Sequence, residues 1–164
     1  MPILNAHSVE VFSHSAEQTG RVGARLGKML RRGDVLSLTG ELGSGKTTLI
    51  KGLVRGWGSE DRVTSPTFVL VNVYRRQDGQ SFYHLDAYRL ESLREAEDLD
   101  LEWLMRGGVL AVEWAERVEP LLPADGLLIE LRWIADEQRA LRLTPHGERY
   151  VHLLDTLREE IYGG

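Results

Sequence analysis

Cysteine is absent from all 164 residues. Disulfides, zinc–thiolate sites and thiol nucleophiles are therefore excluded. No apolar stretch is long enough to span a bilayer. The opening residues, Met1 to Asn5, are not a basic segment followed by an apolar run, so no signal peptide is read there. A cytoplasmic protein without a membrane role is the expectation. Positive charge is in short supply. Twenty Lys and Arg face 25 Asp and Glu, for a net charge of −5. A nucleic-acid binder acting alone carries a basic surface or stripe, and Arg31-Arg32 and Arg75-Arg76 are only pairs. Contact with RNA is expected to run through a partner protein. Asparagine is scarce as well: Asn5 and Asn72 are the only two, and neither precedes a lysine. The Asn-Lys-x-Asp pattern of guanine-specific proteins is missing.

What remains is ordinary for a folded domain. Apolar residues make up 42% and charged residues 27%. The length suits one domain over residues 1–164 with a real core. No repeat, low-complexity segment or linker interrupts it.

The dominant feature is Gly40-Glu41-Leu42-Gly43-Ser44-Gly45-Lys46-Thr47. It matches Gly-x-x-x-x-Gly-Lys-[Ser/Thr] in full, the pattern of a phosphate-binding loop. Asp34 to Thr39 reads as a buried strand leading in, and Thr48 to Val54 as a helix leading out, which is the context the motif requires. Glycines let the backbone curl until successive N–H groups face one anion. The helix adds the positive end of its dipole. Lys46 is expected to reach the β- and γ-phosphates, and the Thr47 hydroxyl to ligate Mg²⁺. The candidate nucleotide-binding residues are Glu41, Leu42, Gly43, Ser44, Gly45, Lys46, Thr47 and Thr48.

The remaining chain divides into short elements. Val9 to Phe12 is a candidate edge strand. Ser15 and Gln18 have capping-box spacing, and Val22, Leu26, Met29 and Leu30 form a helical stripe that Gly33 is placed to end. Gly56 to Pro66 reads as loop. Thr67 to Tyr74 and Ser81 to Asp86 flank the turn signal Asp78-Gly79, which predicts an antiparallel ribbon inserted in a parallel pattern. Ser92 to Met105 reads as one helix with Leu93, Ala96, Leu99 and Leu104 inward and Glu95, Glu97, Asp98 and Asp100 on a solvated face. Gly108 to Val112 is an apolar strand ending at Glu113. Glu116 to Leu121 reads as a short helix. A second hairpin is expected around Asp136-Glu137, and a terminal helix is marked by Tyr150, Leu153, Leu154, Leu157 and Ile161.

A phosphate loop needs an acid near Mg²⁺ at the end of an apolar strand. Val109-Leu110-Ala111-Val112-Glu113 fits this pattern better than Phe82 to Asp86, so Glu113 is the first metal candidate, against a strand-end charge facing solvent. Asp86 is a candidate to orient the attacking water or reach the metal's shell; a hairpin-end acid paired with Arg89 is the alternative. His84 and Asp86 share a strand face, but the five histidines form no ligand pattern, and structural or surface roles are expected for them. Ser65-Pro66-Thr67 suits either a segment that senses the γ-phosphate or a turn before a strand.

Taken in order, four segments resemble the TsaE family. They are Gly-Glu-Leu-Gly-Ser-Gly-Lys-Thr-Thr at 40–48, Ser-Pro-Thr-Phe at 65–68, His-Leu-Asp-Ala-Tyr-Arg-Leu at 84–90, and Val-Glu-Trp-Ala-Glu-Arg at 112–117. This family, also called YjeE, comprises the small bacterial ATPases of tRNA threonylcarbamoyladenosine (t6A) synthesis. The resemblance spans residues 9 to 143. It implies an α/β fold, a P-loop NTPase-like three-layer sandwich with a mostly parallel central sheet and an inserted antiparallel ribbon. It implies ATP and Mg²⁺ as cofactors and slow hydrolysis that depends on partners. Those partners are TsaB and TsaD, which with a threonylcarbamoyl-adenylate synthase modify adenosine 37 of tRNAs reading ANN codons. The tRNA would be met only indirectly. Position by position, Lys46 matches the phosphate lysine, Thr47 and Glu113 the magnesium residues, and Asp86 the acid needed for hydrolysis. Thr67 lies in the segment resembling the first switch, and Trp114 lies beside the site. Thr19 and Arg139 resemble positions near the nucleotide, with plain surface roles as their alternatives. Ala87 stands where the family commonly has a bulkier residue.

Two other functions share the phosphate loop. A metabolite kinase should add an arginine-bearing lid and a substrate pocket, and Arg132, Arg139 and Arg142 are too scattered to form a compact cluster. A non-enzymatic switch would bind nucleotide only to control assembly.

Overall fold

The computed structural model describes residues 7–41, 43–63 and 71–163. Leu42, the Ser65-Pro66-Thr67 segment and the start of the strand expected from Thr67 lie outside the described residues. The order is β1 (Val9–Ser13), α1 (Ala16–Gly27), β2 (Val35–Thr39), α2 (Lys46–Trp57), β3 (Val71–Arg75), β4 (Ser81–Asp86), α3 (Leu93–Glu97), α4 (Leu101–Gly107), β5 (Gly108–Glu113), two short 3-10 turns (Ala115–Arg117 and Glu119–Leu121), β6 (Gly126–Ala135), β7 (Gln138–His146) and α5 (Glu148–Tyr162). Among the described residues the sheet has 7 strands in the order β1-β7-β6-β2-β5-β4-β3. β6, β2, β5 and β4 run parallel to one another. β7, β1 and β3 add antiparallel pairs toward the two edges.

Burial explains which strands take the centre. All of β5 is buried, as is β4 up to Leu85, which is the near-continuous apolar run of strands covered on both faces. One face packs on α1, α2 and α5, with Leu36, Leu38, Phe82, Ala111 and Ile129 in that core. The other face packs Tyr83, Leu85, Leu110 and Val112 against Leu101, Leu104 and Ala115. Among the described residues no helix is long and apolar enough to cross a membrane.

α1 and α2 approach closely because glycines line their contact. A Cβ on Gly23, Gly27, Gly52 or Gly56 would run into the backbone of the facing helix. The contact packs α2, which follows the phosphate loop, closely against α1 on one face of the sheet. It also corrects two boundaries. Gly56 and Trp57 belong to the helix rather than a loop, and Trp57 packs edge-on against Phe82 with ring centroids 5.6 Å apart. α1 ends at Gly27, six residues before Gly33, since i→i+3 bonds from Met29 and Leu30 tighten the chain there.

Other differences have local causes. The helix expected from Ser92 to Met105 is two helices, because Asp100 takes a left-handed conformation (φ 51°) and caps α4 through Trp103 N. Leu93 is exposed rather than inward, whereas Ala96 and Leu104 are buried. The short helix expected over 116–121 is a pair of 3-10 turns. The ribbon forms as β3–β4, but β4 is also a member of the parallel core, so only β3 extends the sheet beyond it.

Candidate functional site

Strands β2, β5 and β4 deliver the site at their C-terminal ends. After β2 the chain curls through Gly43 (φ 80°) and Gly45 (φ 102°) before α2 begins at Lys46. At these left-handed angles a Cβ costs about 1–2 kcal/mol, so the motif's glycines are a backbone requirement. Ser44 N donates to Glu41 O at 3.0 Å, closing the turn. β5 brings Glu113 and β4 brings Asp86, and the two acids stand in register across the parallel pair. Ala87 N donates to Glu113 O at 3.0 Å and ties the two strand ends together. Ligands of open α/β sheets bind at such carboxyl ends of strands.

Lys46 is largely withdrawn from water at 7% exposure. Its ammonium donates to the carbonyls of Gly40 and, at 3.1 Å, Glu41, and lies 4.5 Å from the centre of the Trp114 ring. Burial pushes its pKa below the ordinary lysine value, while Glu113, Asp86 and Glu116 pull it upward. Neutral carbonyls hold an ammonium less strongly than phosphate oxygens do, so an anion in the loop would compete for it. Asp86 is shifted in the opposite sense. Burial raises its pKa and Glu113 adds to the rise, against the hydrogen bond from Tyr88 N (3.0 Å) and the fields of His84 and Lys46. The two acids thus end neighbouring strands in register, with Asp86 shifted upward by burial and by Glu113.

Glu113 is 4% exposed and its Oε2 lies 2.7 Å from Nε2 of His84, which is fully buried. The other imidazole nitrogen, Nδ1, meets the Tyr74 hydroxyl at 3.3 Å, and Asn72 Nδ2 lies 3.3 Å from that same hydroxyl. Sequence reading gave His84 only a structural role and did not single out Tyr74. The usable signal was the placement of a histidine two residues before Asp86 on a strand with no exposed partner face. Trp114, directly after Glu113, has φ 58°. Such a conformation costs a bulky residue about 1–3 kcal/mol and persists where the surroundings hold it. Its ring packs on Tyr88 at 4.9 Å, with Arg117 over both rings.

The loop itself is incompletely satisfied. Ser44 Oγ and Arg139 Nε are buried atoms without a hydrogen-bond partner among the described residues. Arg139 reaches from β7 across the loop, and a Cβ on Gly45 would sit 3.5 Å from its Nε. Nη1 of the same side chain donates to Asp136 O at 2.6 Å and Gln138 O at 3.0 Å. Burying an unpaired donor costs about 1–3 kcal/mol, and an anion with several oxygens would supply the missing acceptors. The residues present therefore fit a phosphate chain. Arg139 also borders a cleft of about 240 Å³ with Ala16, Thr19, Thr48 and Glu137. Thr19 is 1% exposed, and its hydroxyl donates to Ser13 Oγ at 2.7 Å, so it is not a plain surface residue. Thr47 lies in the first turn of α2. The expected residues Glu41, Gly43 to Thr48, Asp86, Glu113 and Trp114 thus gather at one end of the sheet, with Thr19 and Arg139 beside the loop.

A glycine loop joining a central parallel strand to a helix, with acids at the ends of neighbouring strands, defines a P-loop α/β protein. Comparison with known proteins narrows this. The family model described as "Threonylcarbamoyl adenosine biosynthesis protein TsaE" matches residues 13–141. The tRNA threonylcarbamoyladenosine biosynthesis protein TsaE of Streptomyces coelicolor is 46% identical over 135 residues, covering 79% of this chain and 91% of that protein. The Treponema pallidum protein of the same name is 42% identical over 130 residues, with 79% and 95% covered. Among solved structures, Bacillus subtilis YdiB superposes with a TM-score of 0.75 at 32% identity, covering 94% of this chain and 96% of that one. The chain belongs to the TsaE family of t6A biosynthesis proteins.

Proposed function

We propose that the chain is a Mg²⁺-dependent ATPase that supports TsaB and TsaD in forming t6A at adenosine 37 of tRNAs reading ANN codons. The observation that carries the reading is the loop's unsatisfied state. Two buried polar atoms have no hydrogen-bond partner among the described residues, and a buried lysine is held by backbone carbonyls, all beside two acids at strand ends. The loop N–H groups, Ser44, Lys46 and the Thr48 end of α2 would receive the phosphates, and Arg139 with Thr19 would border the rest of the nucleotide. Thr47 and Glu113 would hold Mg²⁺, which supplies charge neutralisation across the phosphate oxygens. Asp86 would orient the water that attacks, and Thr67 would report the γ-phosphate. The partners would complete a site that hydrolyses slowly alone.

The test is ATP hydrolysis with Mg²⁺, first by the chain alone and then with TsaB and TsaD added. Low activity that rises with the partners is the expected result. Partner-independent hydrolysis, or none in either condition despite ATP binding, overturns the reading in favour of a kinase or a switch.

A further inference from the structure

We infer that His84 is a positioning residue for the magnesium site: it fixes the Glu113 carboxylate, and Tyr74 fixes His84 in turn. The inference rests on the Mg²⁺–ATP reading of the loop and adds residues to it. Glu113 sits at the end of a fully buried strand and is itself only 4% exposed, so its carboxylate is oriented mainly by protein groups. His84 contacts it from the neighbouring strand at 2.7 Å through Nε2. A carboxylate only accepts, so Nε2 carries the proton. Nδ1 meets the Tyr74 hydroxyl at 3.3 Å and, in the neutral tautomer, accepts from it, while the Tyr74 oxygen can accept from Asn72 Nδ2 at 3.3 Å. Every donor in this chain points toward Glu113. The Tyr74 and His84 rings are also stacked, with centroids 6.2 Å apart and planes 28° from parallel, which holds the imidazole against tilting. Oε2 of Glu113 is thus committed to His84, which would leave the other carboxylate oxygen for the cation. Hydrogen-bonded partners of this kind set a metal ligand's orientation, and losing one lowers metal affinity about 10- to 100-fold.

The register explains why the histidine comes from this strand. His84 pairs with Ala111, two positions before Glu113 on the same face. A small residue at 111 leaves the imidazole room to lean along the strand toward the carboxylate. Asp86, two residues further along β4, keeps the same face but reaches the strand's end. One strand therefore supplies both the orienting group and the second acid.

The experiment uses two amides of different reach in the full-length chain. Gln at 84 can place an N–H near the position of Nε2, whereas Asn is too short to reach Glu113. Mn²⁺ binding to protein loaded with a non-hydrolysable ATP analogue is followed by electron paramagnetic resonance of the free ion. Analogue binding in EDTA is measured separately. His84→Asn is expected to weaken Mn²⁺ binding about 10-fold or more, with metal-free analogue affinity within about 2-fold of wild type. His84→Gln should recover most of the loss. Tyr74→Phe should weaken Mn²⁺ binding in the same direction by a smaller factor. Unchanged Mn²⁺ affinity in His84→Asn overturns the inference. So does equal loss of analogue binding in EDTA, which marks a merely structural histidine, and so does failure of Gln to restore what Asn removes. If His84→Asn does not fold, Tyr74→Phe decides by the same two measurements. Wild-type protein that binds no analogue at all refutes the ATPase reading itself, separately from these outcomes.

Discussion

Strand β2 has a polar cluster at each end, and the two clusters are built on opposite terms. At the N-terminal end Asp34 is buried at 3% exposure and fully engaged. It accepts from Arg31 N at 2.8 Å and from Arg149 through Nε (3.1 Å) and Nη2 (2.8 Å). Arg149 Nη2 also donates to Met29 O at 2.6 Å, and the Tyr150 hydroxyl accepts from Val35 N at 2.9 Å. At the C-terminal end Ser44 Oγ and Arg139 Nε have no partner among the described residues, Lys46 is held below its ordinary pKa and Asp86 above its own. The five residues of β2 separate an anchor from a site. Buried polar groups are normally matched, so the unmatched end is the one that a ligand, on the proposed reading, would complete.

The largest effect should come from Lys46→Ala. Removing a charge-assisted partner of the phosphates should weaken ATP binding by at least about 100-fold, since each tenfold corresponds to 1.4 kcal/mol. Melting temperature should hold or rise, because burial already opposes the charged lysine. Calorimetric titration with ATP and a thermal melt check both halves. A variant that melts much lower but still binds ATP would make the C-terminal cluster a second anchor and break the contrast.

Asp86→Ala comes next. Nucleotide affinity should stay within about 3-fold while turnover with the partners present falls by about 100-fold or more, the usual range for losing a positioned acid–base group. Steady-state hydrolysis beside a binding measurement separates the two. Normal hydrolysis would remove Asp86 from the proposed mechanism.

The two ends were not equally legible in the sequence. The phosphate loop, Asp86 and Glu113 could be read because a fixed motif and an apolar run ending in an acid each carry a local signature. The parallel pairing that brings Asp86 level with Glu113 is non-local, and so is the Arg149–Asp34 contact across 115 residues. No local pattern marks either. His84 was read as structural because one histidine alone says nothing until its neighbour across the strands is known. Helix boundaries failed where a single residue's conformation decided them, as at Asp100. Gly56 failed for the reverse reason: a breaker in sequence terms, it is required inside α2 by the approach of α1.

Arg149→Met sharpens the contrast from the anchored side. It leaves Asp34 buried with only part of its hydrogen bonding, which should destabilise the fold by about 2–3 kcal/mol, somewhat under the cost of a fully buried unpaired charge. For a chain of this size that lowers the melting temperature by roughly 5–10 °C. ATP affinity, measured well below the new melting point, should not change. Adding Asp34→Asn should restore part of the loss by removing the stranded charge. A loss of ATP affinity as large as the stability loss would show that the two ends act as one unit.

The smallest effect is Asp86→Asn on stability, and its sign depends on pH. Burial raises the Asp86 pKa in the folded chain above the ordinary carboxylate value of 3.8. Between that value and the raised one, the folded state binds more protons than the unfolded state, so this group's contribution to stability falls as pH rises. Above the raised pKa the penalty is fully present. Asparagine carries no such penalty and its Oδ1 can still accept from Tyr88 N. At pH 7 without nucleotide, the variant should therefore melt higher than wild type, by on the order of a degree or two. The gain should shrink as pH is lowered through the raised pKa toward the ordinary carboxylate value of 3.8, as the wild-type carboxyl takes up its proton. Adding Mg²⁺ and ATP should narrow the gain, because a nearby cation relieves the wild-type carboxylate while nucleotide affinity stays close to equal. A pH-independent gain would mean that the carboxylate is not strained in the free protein, and that the C-terminal cluster is as well satisfied there as the Asp34 cluster at the other end.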